Sequence, residues 1–125
     1  MNVRIKATNY AITPEVGSYL SERLKSLEKF VGANLNVVRC EVELGRDAGR
    51  PRHGANIYFA EIRIVAPGEE PVYARNNSES VNGAIDDVKE EVERKLLRER
   101  KLHRVFLRKG GAMLKNLMRF GRDRL

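Results

Sequence analysis

Thr13-Pro14-Glu15-Val16-Gly17-Ser18-Tyr19-Leu20 opens a helix, and its place between two stretches that alternate in twos decides the fold. Thr13 is positioned to accept a backbone N–H as N-cap. Pro14 suits the first helical position because it has no N–H to leave unpaired, and Glu15 complements the positive end of the helix dipole. Val16, Leu20, Leu24, Leu27 and Val31 then recur at helical spacing, with Tyr19 and Phe30 at the edges of the stripe and Lys25 and Lys29 on the opposite face. Gly32, tolerant of left-handed geometry, is expected to end the helix.

Upstream, Val3, Ile5 and Ala7 alternate with Arg4 and Lys6, the period-two pattern of a half-buried strand. Downstream, Val38, Cys40, Val42 and Leu44 alternate with Arg39, Glu41 and Glu43 in a second strand, which makes Cys40 a core thiol rather than a nucleophile. A loop over 45–54 leads to a third strand with Tyr58, Ala60, Ile62 and Ile64 on one face and Glu61 and Arg63 on the other. Pro67-Gly68 turns the chain into a short fourth strand around Val72 to Arg75, with Val72 and Ala74 inward. The polar sides of these strands mix both signs and show no aromatic platform, so the open sheet face is expected to be solvated. Asn77, Ser78 or Ser80 can cap a last helix, whose stripe is Val81, Ala84, Ile85, Val88, Val92 and Leu96. The reading is an α+β fold of order β-α-β-β-β-α.

That last helix is where charge and packing part company. The 125 residues carry 24 Lys or Arg against 17 Asp or Glu, a formal net charge of +7. Residues 1–93 hold 12 Lys or Arg against 15 Asp or Glu, a net of −3; residues 94–125 hold the other 12 against Glu99 and Asp123, a net of +10. The apolar stripe runs out near Leu96, with Lys95 at its edge, and beyond it Arg98, Arg100, Lys101 and Arg104 surround the axis. A helix polar all round is not held by core packing, so its last turns are expected to overhang the sheet and await a partner. A near-neutral body with a basic end is the layout of a polyanion-binding arm. After Arg108-Lys109, Gly110-Gly111 forms a joint, and Met113, Leu114, Leu117 and Met118 would share one side of a short helix. Two readings of this basic tail stay open: it is flexible until a partner orders it, or it packs back onto the body.

Several classes are excluded. One modest core fits this length, no apolar run is long enough to span a membrane, and the N-terminus lacks a secretory signal, so a cytoplasmic protein is expected. One cysteine excludes an internal disulfide and a Cys-based zinc site. The two histidines, His53 in a loop and His103 in the basic helix, belong to no triad or metal pattern, and there is no phosphate loop. The chain is expected not to be an enzyme and to carry no cofactor or metal.

Two motifs carry a specific resemblance. Ile12-Thr13-Pro14, Glu22-Arg23-Leu24 and Leu27-Glu28-Lys29-Phe30 are similar to the first helix of the ribosome hibernation-promoting factor and ribosome-associated inhibitor family. Ala84-Ile85-Asp86 and Val92-Glu93-Arg94-Lys95-Leu96 resemble that family's second helix, in register over about residues 2–104. The resemblance implies both helices on one face of a four-stranded sheet. It also implies binding to the small ribosomal subunit and its 16S-type rRNA, in the channel of messenger RNA and transfer-RNA anticodon ends, which silences and protects idle ribosomes. Carried over, the family's basic positions fall on Arg23, Lys29 and Arg94, continued by Lys95, Arg98 and Lys101. Lys25, Arg100, Arg104, Arg108 and Lys109 complete the expected rRNA-contacting set. Arg23 lies close to the apolar stripe, so an internal ion pair competes with RNA there.

Two departures, Glu91 where relatives often have Lys and Asn82 near a usual aromatic, move the expected contact toward Arg94 and beyond. The expected organisation is a ribosome-binding domain over 1–104 and a tail over 105–125, with no dimerisation domain and neither DNA nor membrane as partner. The alternatives are an adaptor whose amphipathic tail meets a membrane or protein partner, and a generic RNA binder.

Overall fold

The computed structural model describes residues 1–47 and 56–100. Helix α1 spans Pro14–Leu27, and its start is the one read from the sequence: Thr13 is extended and its hydroxyl accepts the Val16 amide at 3.2 Å. The end differs. The Glu28 amide reaches the Lys25 carbonyl, three residues back rather than four, and the chain tightens into a 3-10 turn over Glu28–Phe30. Gly32 lies past that turn and is not the left-handed cap; Gly68, at φ +77°, is the described glycine that takes positive φ, in the turn after Pro67.

Strands β1 (Asn2–Thr8), β2 (Arg39–Arg46), β3 (Tyr58–Val65) and β4 (Val72–Ser78) form one mixed sheet in the order β1-β2-β3-β4. β1 runs parallel to β2, the neighbour to which α1 returns the chain, and the other pairs are antiparallel. The register aligns Val3, Cys40, Ile64 and Val72 in one row and Ile5, Val42, Ile62 and Ala74 in the next. On these rows lie Leu20, Leu24 and Leu27 of α1 and the whole predicted stripe of a second helix, α2, over 81–100. The helices thus cover one face of the sheet. Each large side chain so buried contributes about 1.5–3 kcal/mol. Cys40 is fully buried there, and loss of solvent pushes its thiol up to about 12, which keeps it inert.

β1 departs from the expectation of a half-buried strand. Val3 and Ile5 are 41% and 46% exposed, although their register places them on the covered face. Their strand is the sheet edge, and the buried cluster takes its sheet residues from β2, β3 and β4. β4 is longer than predicted, so Asn77 and Ser78 pair within the sheet and Ser80 alone caps α2, accepting the Gly83 amide at 3.0 Å on its hydroxyl. Packing in α2 stops where the sequence said it would: Leu96 is 7% exposed, and Leu97, Arg98, Glu99 and Arg100 are exposed. Among the described residues no helix is long and apolar enough to cross a membrane, and no cluster of three metal-ligating side chains occurs. His53, His103 and the tail lie outside the described residues.

Candidate nucleic-acid interface

Two surfaces carry many charges. On the open sheet face, the register sets Arg4, Glu41, Arg63 and Tyr73 in one row and Lys6, Glu43, Glu61 and Arg75 in the next. Both signs are mixed there, and several of the charges are engaged with one another. Arg75 lies 3.3 Å from Asp47 and 3.9 Å from Glu61. The Thr8 hydroxyl donates to Glu43 at 2.7 Å and, helped by Lys6, holds that carboxyl below its ordinary range.

This face also contains two aromatics, although the sequence reading expected no aromatic platform there. Phe59 is 3% exposed beneath the Arg75 guanidinium, 4.0 Å from the ring centroid, and Arg63 lies 5.3 Å from the centroid of Tyr73. Gly45 makes room for Phe59. A Cβ there would stand 2.5 Å from the Thr8 carbonyl oxygen and 2.6 Å from the Phe59 ring. The open face therefore mixes both signs, with Phe59 covered and Tyr73 partly exposed beside Arg63.

The outer surface of the helix layer is different, and the predicted basic residues divide there into two groups. Arg23 is engaged internally: its Nε donates to Asp86 at 3.0 Å, and its guanidinium stacks 4.5 Å from the Tyr19 ring centroid. The Tyr19 hydroxyl also reaches Asp86, at 2.6 Å, so the three side chains tie α1 to α2. Hydrogen bonding to Tyr19 first, and then to Asp86, raises the Arg23 pKa. Lys95 donates to the Tyr73 carbonyl at 2.6 Å and lies 3.8 Å from Glu91. The internal competitor read for Arg23 is thus present, and Lys95 has one of its own.

Lys25, Lys29, Arg94 and Arg98 form the second group. All four are exposed, and none joins an ion pair among the described residues. Arg94 and Arg98 stand one turn apart, opposite the buried stripe of α2. Lys29 lies in the 3-10 turn after α1 and stacks on Phe30, its ammonium 5.1 Å from the ring centroid. Arg100 donates to the Lys29 carbonyl at 3.5 Å, which ties the last described turn of α2 to the 3-10 turn after α1. Lys25 and Lys29, at the C-terminal end of α1 where the helix dipole is negative, are favourably placed. The acidic first half of α2 is partly used up internally, Asp86 on Arg23 and Glu93 on Lys89 at 3.5 Å. Lys101, Arg104, Arg108 and Lys109 lie outside the described residues.

Sequence reading missed Tyr19 and Asp86 as partners of Arg23. The Tyr19–Arg23 spacing of four is a helical contact that could have been found; Asp86 is 63 residues away and could not.

Solved structures of similar fold include the Protein Y N-terminal domain of Thermus thermophilus, at 23% identity and a TM-score of 0.62, covering 78% of this chain and 98% of that one. Another is a ribosomal subunit interface protein from Coxiella burnetii, at 11% identity and a TM-score of 0.63, covering 81% of this chain and 99% of that one. No curated protein matches. The family model described as sigma 54 modulation protein / S30EA ribosomal protein matches residues 3–104, a span that holds both helix motifs and all four strands but for Asn2, and the chain belongs to that ribosome-associated family.

Proposed function

We propose that this protein binds the small ribosomal subunit through the outer face of its helix layer. Bound in the channel for messenger RNA and transfer-RNA anticodon ends, it silences translation by occlusion and protects idle ribosomes. The observation that carries this reading is the group of exposed Lys25, Lys29, Arg94 and Arg98, unpaired among the described residues, on a helix layer whose Arg23, Lys89 and Lys95 are engaged internally. Ribosomal RNA is the polyanion that membership of an S30EA family makes the natural partner. Arginine forks onto phosphate oxygens, and each contact releases condensed counterions.

In this reading, residues 1–104 are the ribosome-binding domain and residues 105–125 extend its basic surface along the channel. Arg100, Lys101, Arg104, Arg108 and Lys109 then add to the cations that meet rRNA. The protein works in the cytoplasm, where ribosomes are, and acts by occupancy rather than by catalysis. Arg23 and Lys95 support the surface by fixing α2 against α1 and β4.

The test is co-sedimentation with purified small subunits over a salt series. Association is expected at low salt, falling on the order of 10²-fold between about 50 and 200 mM. Equal affinity for bulk RNA would make the protein a generic RNA binder. Retention on anionic vesicles in place of subunits would favour the amphipathic-tail adaptor.

A further inference from the structure

The sheet ends on two unlike edges. On the outer side of β4, the Tyr73 carbonyl accepts from Lys95 of α2 at 2.6 Å. On β1, the described side-chain hydrogen bonds belong to Asn2 and Thr8, at the two ends of the strand. The Asn2 amide donates to the Val38 carbonyl at 2.9 Å, and this fixes the direction of every later main-chain group. Direction alternates along a strand, so Asn2, Arg4, Lys6 and Thr8 turn their amides and carbonyls to β2, and Val3, Ile5 and Ala7 turn theirs outward. No strand lies beside those outward groups among the described residues.

The side chains along this edge say what fits it. Val3 and Ile5 are 41% and 46% exposed on the helix side, while Arg4 and Lys6 stand exposed on the open side. The register sets Arg4 beside Glu41, Ile5 beside Val42 and Lys6 beside Glu43. β1 thus already pairs inward with a strand of acidic and apolar alternation, and it presents the same residues outward. A second copy of β1 does not match. In antiparallel registers centred on Arg4, Ile5 or Lys6, a cation of one copy directly opposes a cation of the other. We propose that the outer edge of β1 is a docking site for an extended peptide segment of alternating acidic and apolar residues, added as a further strand. Its main chain takes the amides and carbonyls of Val3, Ile5 and Ala7, its apolar side chains cover Val3 and Ile5, and its carboxylates lie beside Arg4 and Lys6. Cations on an edge block self-pairing and select a partner of opposite sign. The site uses none of the helix cations, so it does not depend on the ribosomal reading.

Amide hydrogen exchange in the full-length protein tests this, with the end-blocked peptide Thr-Val-Glu-Val-Glu-Val-Thr as probe. At saturation, exchange at Val3, Ile5 and Ala7 is expected to slow by about tenfold or more, with Arg4 and Lys6, already bonded to β2, unchanged. Ile5→Pro removes an outward N–H and no bond to β2, and should weaken peptide binding by about tenfold. Arg4→Glu together with Lys6→Glu, both exposed, should abolish the effect and transfer it to the peptide with Lys in place of Glu. Failure of that exchange of preference, or equal binding of the Lys peptide to the unaltered protein, overturns the proposal. So does peptide binding that leaves exchange at Val3, Ile5 and Ala7 unchanged, as capture by the basic end of the chain would. Slowing that appears without peptide and grows with protein concentration also overturns it, because the occupant would then be a second copy.

Discussion

The open sheet face and the outer helix surface both carry many charged side chains and end up as different kinds of surface. On the sheet, strand register sets Lys6, Glu43, Glu61 and Arg75 side by side, and Arg75 lies between Asp47 and Glu61 while stacking on Phe59. On the helices, Lys25, Lys29, Arg94 and Arg98 project outward with no carboxylate in ion-pair range among the described residues. The number of charges therefore says little about where a polyanion binds. The number left uncompensated by the fold says more, because a cation already paired must give up its partner before it can meet a phosphate.

The comparison can be broken in order of expected effect. The largest lies on the sheet and is structural. Gly45→Val would drive a side chain into the Thr8 carbonyl and the Phe59 ring, and chemical denaturation should show a loss of about 3 kcal/mol. Next, charge reversal at Arg94 and Arg98 should weaken small-subunit binding by about 10- to 100-fold with unchanged unfolding. Neutralising Arg4 and Arg63 instead should change that affinity by less than about twofold, since exposed charges already balanced by neighbours contribute little. Equal losses from the two pairs would erase the distinction between the surfaces.

A smaller effect comes from the residue that belongs to both groups. Asp86→Asn releases Arg23, and small-subunit affinity should rise by about twofold or less, measured by the same sedimentation assay. A fall would mean that the Tyr19–Arg23–Asp86 tie positions the interface rather than withholding a cation from it.

The smallest concerns pH. Because Thr8 holds the Glu43 carboxyl below its ordinary range, the folded state binds fewer protons there than the unfolded chain. That stabilisation is present above the ordinary carboxylate range and is lost as pH falls through the depressed value. Thr8→Val should raise the Glu43 pKa toward its ordinary value, read by NMR titration, and flatten the acid limb of stability.

Local signals carried the sequence reading furthest where one residue and its near neighbours determine the outcome. The Thr13 cap, the Pro14 start and the two apolar stripes are of this kind, and so is the end of packing at Leu96, visible because Leu97 to Arg100 no longer repeat the stripe. The exposed basic group was legible in the same way, since helical phase alone places Lys25, Lys29, Arg94 and Arg98 away from the core. The engagement of Arg23 was readable only as a possibility, from its nearness to the stripe.

What the amino-acid sequence determined by itself is the order of elements, the side of each that faces the core, and the division into a −3 body and a +10 end. These follow from periodicities of two and 3.6 residues, which act over one or two turns of chain. The tertiary structure alone decided that Val3 and Ile5 stay exposed at an edge, that Phe59 lies over Gly45 beneath Arg75, and that Arg23 is held by Asp86. It also decided that Ser80, not Asn77 or Ser78, caps α2. Each of these depends on which strands become neighbours and in what register, a choice made by contacts tens of residues apart that no local window contains.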